Sequence, residues 1–308
     1  MNNLTLFMKA SRFQVIPVMV IPVILGGLGA IVWNDTFHPL LFVLTFIGSI
    51  AAHLFSNMIN DLWDFRNGID TAEKETASTI ATNSGFLANG TIPERTFSLL
   101  TWSLFALALI CGLILSVTSG WLVLVFGGLG ALIAYFYVAP PIKFGYRGKG
   151  YSEIAILLSF GILPTLGSYY VQTMTIDYRP ILLSLPVGLL TTLILFNHHF
   201  LHWQADRTAG KRTLVVVWGE KRALVFSKFL FVLSYAALIY CVIDGVFPYY
   251  TLLALLTAVP FYRVYSNLKA ENPSHAYLPL MGASLKATKN GGIIMMLALV
   301  VQAIIQAF

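Results

Sequence analysis

An all-α, polytopic membrane protein with nine transmembrane helices, N-terminus inside and C-terminus outside, is the fold this sequence predicts. Three observations carry that expectation. The first is composition: of 308 residues, 57% are apolar and only 10% charged, with a mean hydropathy of +0.78. A soluble domain carries about 25% charge, and a soluble chain of 34.0 kDa cannot hide this much apolar surface in one core. The second is that apolar segments recur along the whole chain, each near the roughly 20 residues that a helix needs to cross the hydrocarbon. The third is a one-sided distribution of positive charge.

The apolar segments are 13–33, 40–59, 97–118, 121–139, 152–173, 181–202, 223–243, 249–267 and 291–307. The opening MNNLTLFMKASRF runs straight into the first with no small-residue cleavage site, so it reads as the start of a transmembrane helix rather than a signal peptide. Ser119-Gly120 alone divides the third from the fourth, which predicts a tight hairpin. Nine spans put alternate loops on opposite sides. With the N-terminus in the cytoplasm, the inner segments are the N-terminal stub, 60–96, 140–151, 203–222, 268–290 and the adjoining helix ends. These hold 18 of the 19 Lys and Arg residues, and only Arg179 falls outside, as the positive-inside rule requires. The net charge of +6 is therefore read as orienting the chain in a lipid bilayer, with no nucleic-acid partner. Cys111 and Cys241 lie inside apolar runs and form neither a disulfide framework nor a metal motif. No internal repeat or low-complexity tract divides the chain, which predicts a single domain over 1–308.

The outer loops are short and the inner ones long, and long polar loops on one face are where function usually sits. Acidic residues follow the same side. The second span runs into SNMINDLWDFRNGID, residues 56–70. Asn60 and Asp64 are four apart and share a helix face; Asp61 and Asp64 are three apart and nearly do. Asn57 lies one turn before Asp61. Asn67-Gly68 is a helix-ending signal, after which Asp70 can fold back. Acids at a helix C-terminus oppose the macrodipole, a cost that function explains better than a solvated helix end does. Oxygen ligands of this kind suit Mg²⁺, which binds through one or two carboxylates plus substrate phosphates.

The sixth span ends in NHHFLHWQADRTAGKRT, residues 197–213. His198, His202 and Asp206 recur at four-residue spacing and form one stripe, with Arg207, Lys211 and Arg212 following. An acid facing a metal, with cations beside it, describes a diphosphate site, because metal and Lys or Arg together neutralise charge building on phosphate oxygens. Interfacial packing of the histidines, or a zinc or iron site on the His pair, are the alternatives. A third inner segment, PPIKFGYRGKGYSEI at 140–154, carries Lys143, Tyr146, Arg147, Lys149 and Glu153 among glycines. It reads as a phosphate or substrate loop, or as a basic membrane-surface loop.

At these residues the sequence resembles the UbiA superfamily of intramembrane prenyltransferases over nearly its whole length. Asn60, Asp61, Asp64 and Asp70 match that family's first Asp-rich motif. NDLWDFRNGID, the YRGKG stretch at 146–150 and DRTAGKRTLVVVWG at 206–219 resemble its 1,4-dihydroxy-2-naphthoate-prenylating branch, as does the opening SRFQVIPVMVIPVILGG. The second motif departs from that branch: His202 stands at the earlier Asp position, and His198-His199 at an Asn pair. The resemblance implies a UbiA-type bundle around a central cavity, with Mg²⁺ as cofactor, and transfer of a polyprenyl group from its diphosphate to an aromatic acceptor. It implies metal binding at Asn60, Asp64, Asp70, Asp206 and His202, with Asp61, Asp64 and Asp206 catalytic. Arg66, Lys143, Arg147, Lys211 and Arg212 are then expected on the diphosphate, and Asn57, Tyr146 and His198 on the acceptor. With dihydroxynaphthoate, carbon dioxide is lost in the same conversion, which places the enzyme in menaquinone biosynthesis. A bacterial plasma membrane with the site facing the cytoplasm is the expected location. Other acceptors of the superfamily (4-hydroxybenzoate, homogentisate, haem or glyceryl phosphate) form one alternative, and a secondary transporter another. The topology is checked with single cysteines placed in 84–90 and in 174–180. An impermeant maleimide is expected to label them from opposite sides of the membrane; labelling from one side would contradict the alternation.

Overall fold

The computed structural model describes residues 2–69 and 84–308, and every named element among them is helical. In chain order these are α1 (Asn3–Ala10), α2 (Pro17–Asn34), α3 (Pro39–Arg66), α4 (Glu94–Ser119) and α5 (Leu122–Phe136). Then come α6 (Tyr151–Thr173) and α7 (Arg179–Thr208), followed by α8 (Leu214–Ile243), α9 (Val259–Asn267) and α10 (Leu278–Ala307). Each predicted apolar segment is helical. Seven of the helices are by themselves long and apolar enough to cross a membrane. Of the remaining two segments, α5 has 15 residues, and 249–267 is a ten-residue 3-10 helix, Tyr249–Ala258, running into α9. The hairpin at Ser119-Gly120 forms as expected, with Gly120 at φ 106° between α4 and α5.

Helix ends are where the structure corrects the sequence reading. The last helix begins at Leu278 rather than 291, so most of the expected inner loop 268–290 is helix or a 3-10 turn. Likewise α3 runs on to Arg66, α7 to Thr208, and α8 starts at Leu214. Hydropathy marks only the apolar part of a helix. These helices continue past it, and their polar ends turn toward one another inside the bundle. The predicted stop after α3 is found: Asn67 caps it and Gly68 follows at φ 78°.

Burial divides the bundle into two unlike halves. One core joins Phe196 and Phe200 of α7 to Leu224 of α8, Phe261 of α9 and Leu280 of α10. A buried polar chain fastens the same helices: Asn197 Nδ2 donates to Ser284 Oγ at 2.9 Å, and Ser227 Oγ donates to Asn197 Oδ1 at 2.6 Å. Such a fully satisfied network specifies one packing. In the other half α5 has no buried residue, because it faces a cavity on one side and the bundle's exterior on the other. Large apolar side chains lie exposed there and elsewhere, among them Val117, Leu99, Leu132 and Ile243, as lipid contact requires.

Two close approaches set the geometry between the halves. Gly161 and Gly188 let α6 and α7 touch, since a Cβ at Gly161 would lie 2.8 Å from Gly188 Cα. Gly161 sits in a π-helical turn, Leu158–Ile162, a feature often found at functional sites. Phe160 in that turn meets His53 of α3 edge-on at 5.2 Å. Further polar contacts lie toward the two ends of the bundle. At one, Asn34 and Tyr169 pair at 2.7 Å, and Gln172 Oε1 accepts from the His38 backbone at 2.6 Å. At the other, Asn67 donates to Tyr146 at 3.3 Å, Arg212 N donates to Tyr146 O at 3.1 Å, and Glu220 accepts from Asn272 N at 3.0 Å.

Candidate active site

A cavity of 660 Å³ lies between α2, α3, α4, α5, α6 and α7. Its wall is apolar and built largely of small residues at one end, including Gly112, Gly127 and Ala131. At the other end Arg12, Asn57, Asn60, Asp64, His198, His199, His202, Asp206 and Lys211 line it. The C-terminal turns of α3 and α7 carry all of these except Arg12, which precedes α2, and Lys211, which follows α7. The i, i+4 spacing does what the sequence predicts: His198, His202 and Asp206 all face the cavity, and the His198 and His202 rings stand 4.9 Å apart.

The two acidic clusters meet on one cation. Lys211 Nζ lies 3.5 Å from Asp64 Oδ2 and 3.9 Å from Asp206 Oδ1. Asp206 is 2% exposed, so its charge needs a partner within the bundle. Burial alone lowers a lysine's pKa, but Asp64 and Asp206 outweigh it and hold Lys211 well above its usual value. Tyr146 donates its hydroxyl to Asp64 Oδ1, and its ring lies 5.4 Å from Lys211 Nζ. Burial raises the Tyr146 phenol, and the Asp64 charge raises it further, so the phenol remains a donor at neutral pH.

Asp61 is turned elsewhere. Its Oδ1 pairs with Arg12 and its Oδ2 accepts from Ser84 N at 2.9 Å, and it is not among the cavity-lining side chains. It holds Arg12, which does line the cavity and which sequence reasoning missed. Arg12 sits at φ 53°, a left-handed conformation that a non-glycine residue seldom adopts without a local reason. Nothing in its surrounding sequence signals that role. Asn57 lines the cavity and donates to Ser11 O at 3.0 Å.

The expected diphosphate residues divide. Lys211 is in the cavity. Lys143 donates to Asn67 Oδ1 at 2.6 Å, just behind Tyr146. Arg147 and Arg212 form an isolated backbone bridge at the rim, both exposed. Arg66 is not brought in: it pairs with Glu94 at 2.7 Å and stacks on Trp63, because its position on α3 points it away from the cavity. Asp70 lies outside the described residues.

The donor set fits a hard divalent ion such as Mg²⁺. Asn60 Oδ1 is buried with no hydrogen-bond partner among the described residues. Asp64 and Asp206 already share a cationic centre. Among the described residues no three His, Cys, Asp or Glu side chains gather as a self-sufficient metal cage. That suits Mg²⁺, which takes one or two carboxylates and completes its shell with water and phosphate oxygens.

Residues 19–285 match the UbiA prenyltransferase family, and the chain belongs to it. It is 25% identical to the 1,4-dihydroxy-2-naphthoate octaprenyltransferase of Bacillus subtilis, over 77% of this chain and 73% of that one. It is 30% identical to the enzyme of the same name from Haemophilus influenzae, over 78% of this chain and 77% of the relative. In fold it is similar to a UbiA homologue from Archaeoglobus fulgidus bound to GPP and Mg²⁺, with a TM-score of 0.63, 16% identity and coverage of 94% and 99%. The protein is an integral membrane prenyltransferase, which removes the transporter alternative. Replacing Lys211 by Met should leave Asp64 and Asp206 facing without a cation. Breaking a buried ion pair costs about 3–5 kcal/mol. The variant should therefore melt below wild type in EDTA, and Mg²⁺ with pyrophosphate should narrow the gap. Identical melting curves in EDTA would show that the lysine does not hold this site.

Proposed function

We propose that this prenyltransferase transfers a polyprenyl group from its diphosphate to 1,4-dihydroxy-2-naphthoate at the polar end of the cavity, in a bacterial plasma membrane with the site facing the cytoplasm. One observation carries the reading: carboxylates from α3 and α7 share the Lys211 ammonium at the mouth of an otherwise apolar chamber. The names of the curated relatives support the acceptor, and the distribution of Lys and Arg supports the orientation.

Asn60, Asp64 and Asp206 would hold Mg²⁺, with His202 beside them on the Asp206 face of α7. When bound, the ion neutralises negative charge on the departing diphosphate. Lys211 and Arg12 would bind the diphosphate oxygens directly, each being a cavity-lining cation. Asp61 fixes Arg12, and Tyr146 fixes Asp64, so the charged groups are set before substrate arrives; such preorganisation is where electrostatic catalysis gains most. Lys143, Arg147 and Arg212 surround the entrance and would draw the anionic head group in.

The isoprenoid needs a long apolar path. Gly112, Gly127, Gly128 and Gly130 provide it: a Cβ at any of them would meet no atom within 4 Å. Loss of diphosphate leaves an allylic cation, and the same apolar wall keeps water from capturing it. The aromatic ring, held near Asn57 and His198, then attacks that carbon.

Asp64→Ala and Asp206→Ala should each reduce prenyl transfer by about 10²-fold or more, the scale on which single electrostatic groups act. The assay is purified protein with prenyl diphosphate, Mg²⁺ and dihydroxynaphthoate, with products read by mass and folding checked by the monodisperse elution of each variant. Near-normal turnover in either variant would refute the assignment.

A further inference from the structure

We propose that His199 is the base that takes the hydroxyl proton of the aromatic acceptor, with Glu153 as the positioning residue behind it; the inference rests on the prenyl-transfer reading above. His199 lines the cavity on α7 and is 4% exposed. Its Nδ1 lies 4.0 Å from Glu153 Oε1, in the first turn of α6. Neither atom has a hydrogen-bond partner among the described residues. Glu153 is itself only 6% exposed.

An acid in this position has an energetic cost that needs a reason. Ionisable groups inside a membrane bundle are expensive and mark functional sites. The other buried acids among the described residues are accounted for: Asp61 holds Arg12, and Asp206 pairs with Lys211. Glu153 instead faces His199 across a gap that a small side-chain movement closes, as catalytic hydrogen bonds often do on substrate binding. A carboxylate accepting from Nδ1–H fixes the imidazole tautomer and leaves the Nε2 lone pair as acceptor. His199 lies on the same helix as Asp206, about two turns deeper, so the dyad sits beyond the diphosphate end, where the acceptor must stand.

The ring needs such a partner. A phenolic hydroxyl has a pKa near 10, and its carbon nucleophilicity rises as the proton leaves. In the step proposed, the allylic C–O bond breaks with its electron pair going to the diphosphate. The ring's π pair forms the new C–C bond, the O–H pair becomes the second bond of a carbonyl, and the proton passes to His199 Nε2. Glu153 stabilises the imidazolium. Loss of carbon dioxide from the carboxylated ring carbon, or of a proton from an unsubstituted one, then returns an electron pair to the ring. The oxygen regains its proton from His199, and the base is restored.

The test compares wild type, His199→Gln and Glu153→Gln on two acceptors. One is dihydroxynaphthoate; the other is a ring-fluorinated analogue whose hydroxyl is already ionised at the assay pH. With the first, kcat should fall about 10²-fold or more in His199→Gln and about 10-fold or more in Glu153→Gln, the scale of an orienting residue. KM for the prenyl diphosphate should stay unchanged in both, which reports an intact diphosphate site. Relative to wild type on the same acceptor, both losses should shrink at least tenfold with the ionised analogue. Equal losses on both acceptors, or a kcat in His199→Gln within threefold of wild type, would overturn the dyad while leaving the prenyl-transfer reading in place. Wild-type protein that prenylates neither acceptor would remove the acceptor assignment and this inference with it.

Discussion

Two carboxylates cannot face each other inside a membrane bundle without a cation between them, and that constraint organises this molecule. In the interior, where the effective dielectric is far below that of water, like charges repel strongly and unpaired ones are costly to bury. Lys211 meets the constraint, its ammonium reaching both Asp64 and Asp206. An arrangement that holds a monovalent cation between two oxygen donors, with the Asn60 carbonyl oxygen waiting nearby, is already shaped for a small divalent one. In the proposed reaction, an ion and a diphosphate entering together would give the lysine a new anion to follow, with no charge left unpaired.

The rest of the bundle serves the placement of those two carboxylates. Asp64 rides on the last turn of α3, beyond the apolar stretch that crosses the membrane, and Asp206 rides on the corresponding turn of α7. The Asn197 network ties α7 to α8 and α10, and the Gly161–Gly188 contact seats α6 against it. The α7 helix is therefore fixed from both sides. The opposite wall, formed by α4 and α5, is left open and lined with small side chains. Rigidity lies where charge must be positioned, and free volume where an apolar chain must fit.

Much of this was legible in the sequence for a definite reason. A membrane replaces subtle packing signals with strong ones: apolar length, loop charge and stray acids. Those signals located the nine apolar helical segments, the Ser119-Gly120 hairpin and both acidic clusters, and the four-residue spacing put His198, His202 and Asp206 on one face. They did not separate the short helix α1 from α2, which the left-handed Arg12 divides. Hydropathy could not show that α10 begins at Leu278, because its first turns carry Lys286 and Lys289 among small residues. Nor could spacing tell which of several neighbouring charges turns inward. Asp61 and Asp64 are three apart, yet one holds Arg12 and the other faces the cavity. Arg66 follows Asp64 by two residues and points to Glu94 instead. The seven-residue spacing of His199 and Asp206 puts both near one face of α7, but Arg12 and Glu153 become partners of the site only through contacts between helices distant in sequence, which no local pattern reports.

Joint binding of one ion by α3 and α7 is the feature on which the proposed chemistry depends. Mn²⁺, a paramagnetic substitute for Mg²⁺, can be titrated into purified protein with a non-reactive prenyl thiodiphosphate and followed by electron paramagnetic resonance. The account predicts a tight ion that depends on the diphosphate and is lost to a similar degree in Asp64→Asn and in Asp206→Asn. Tight binding that survives either substitution unchanged would contradict it.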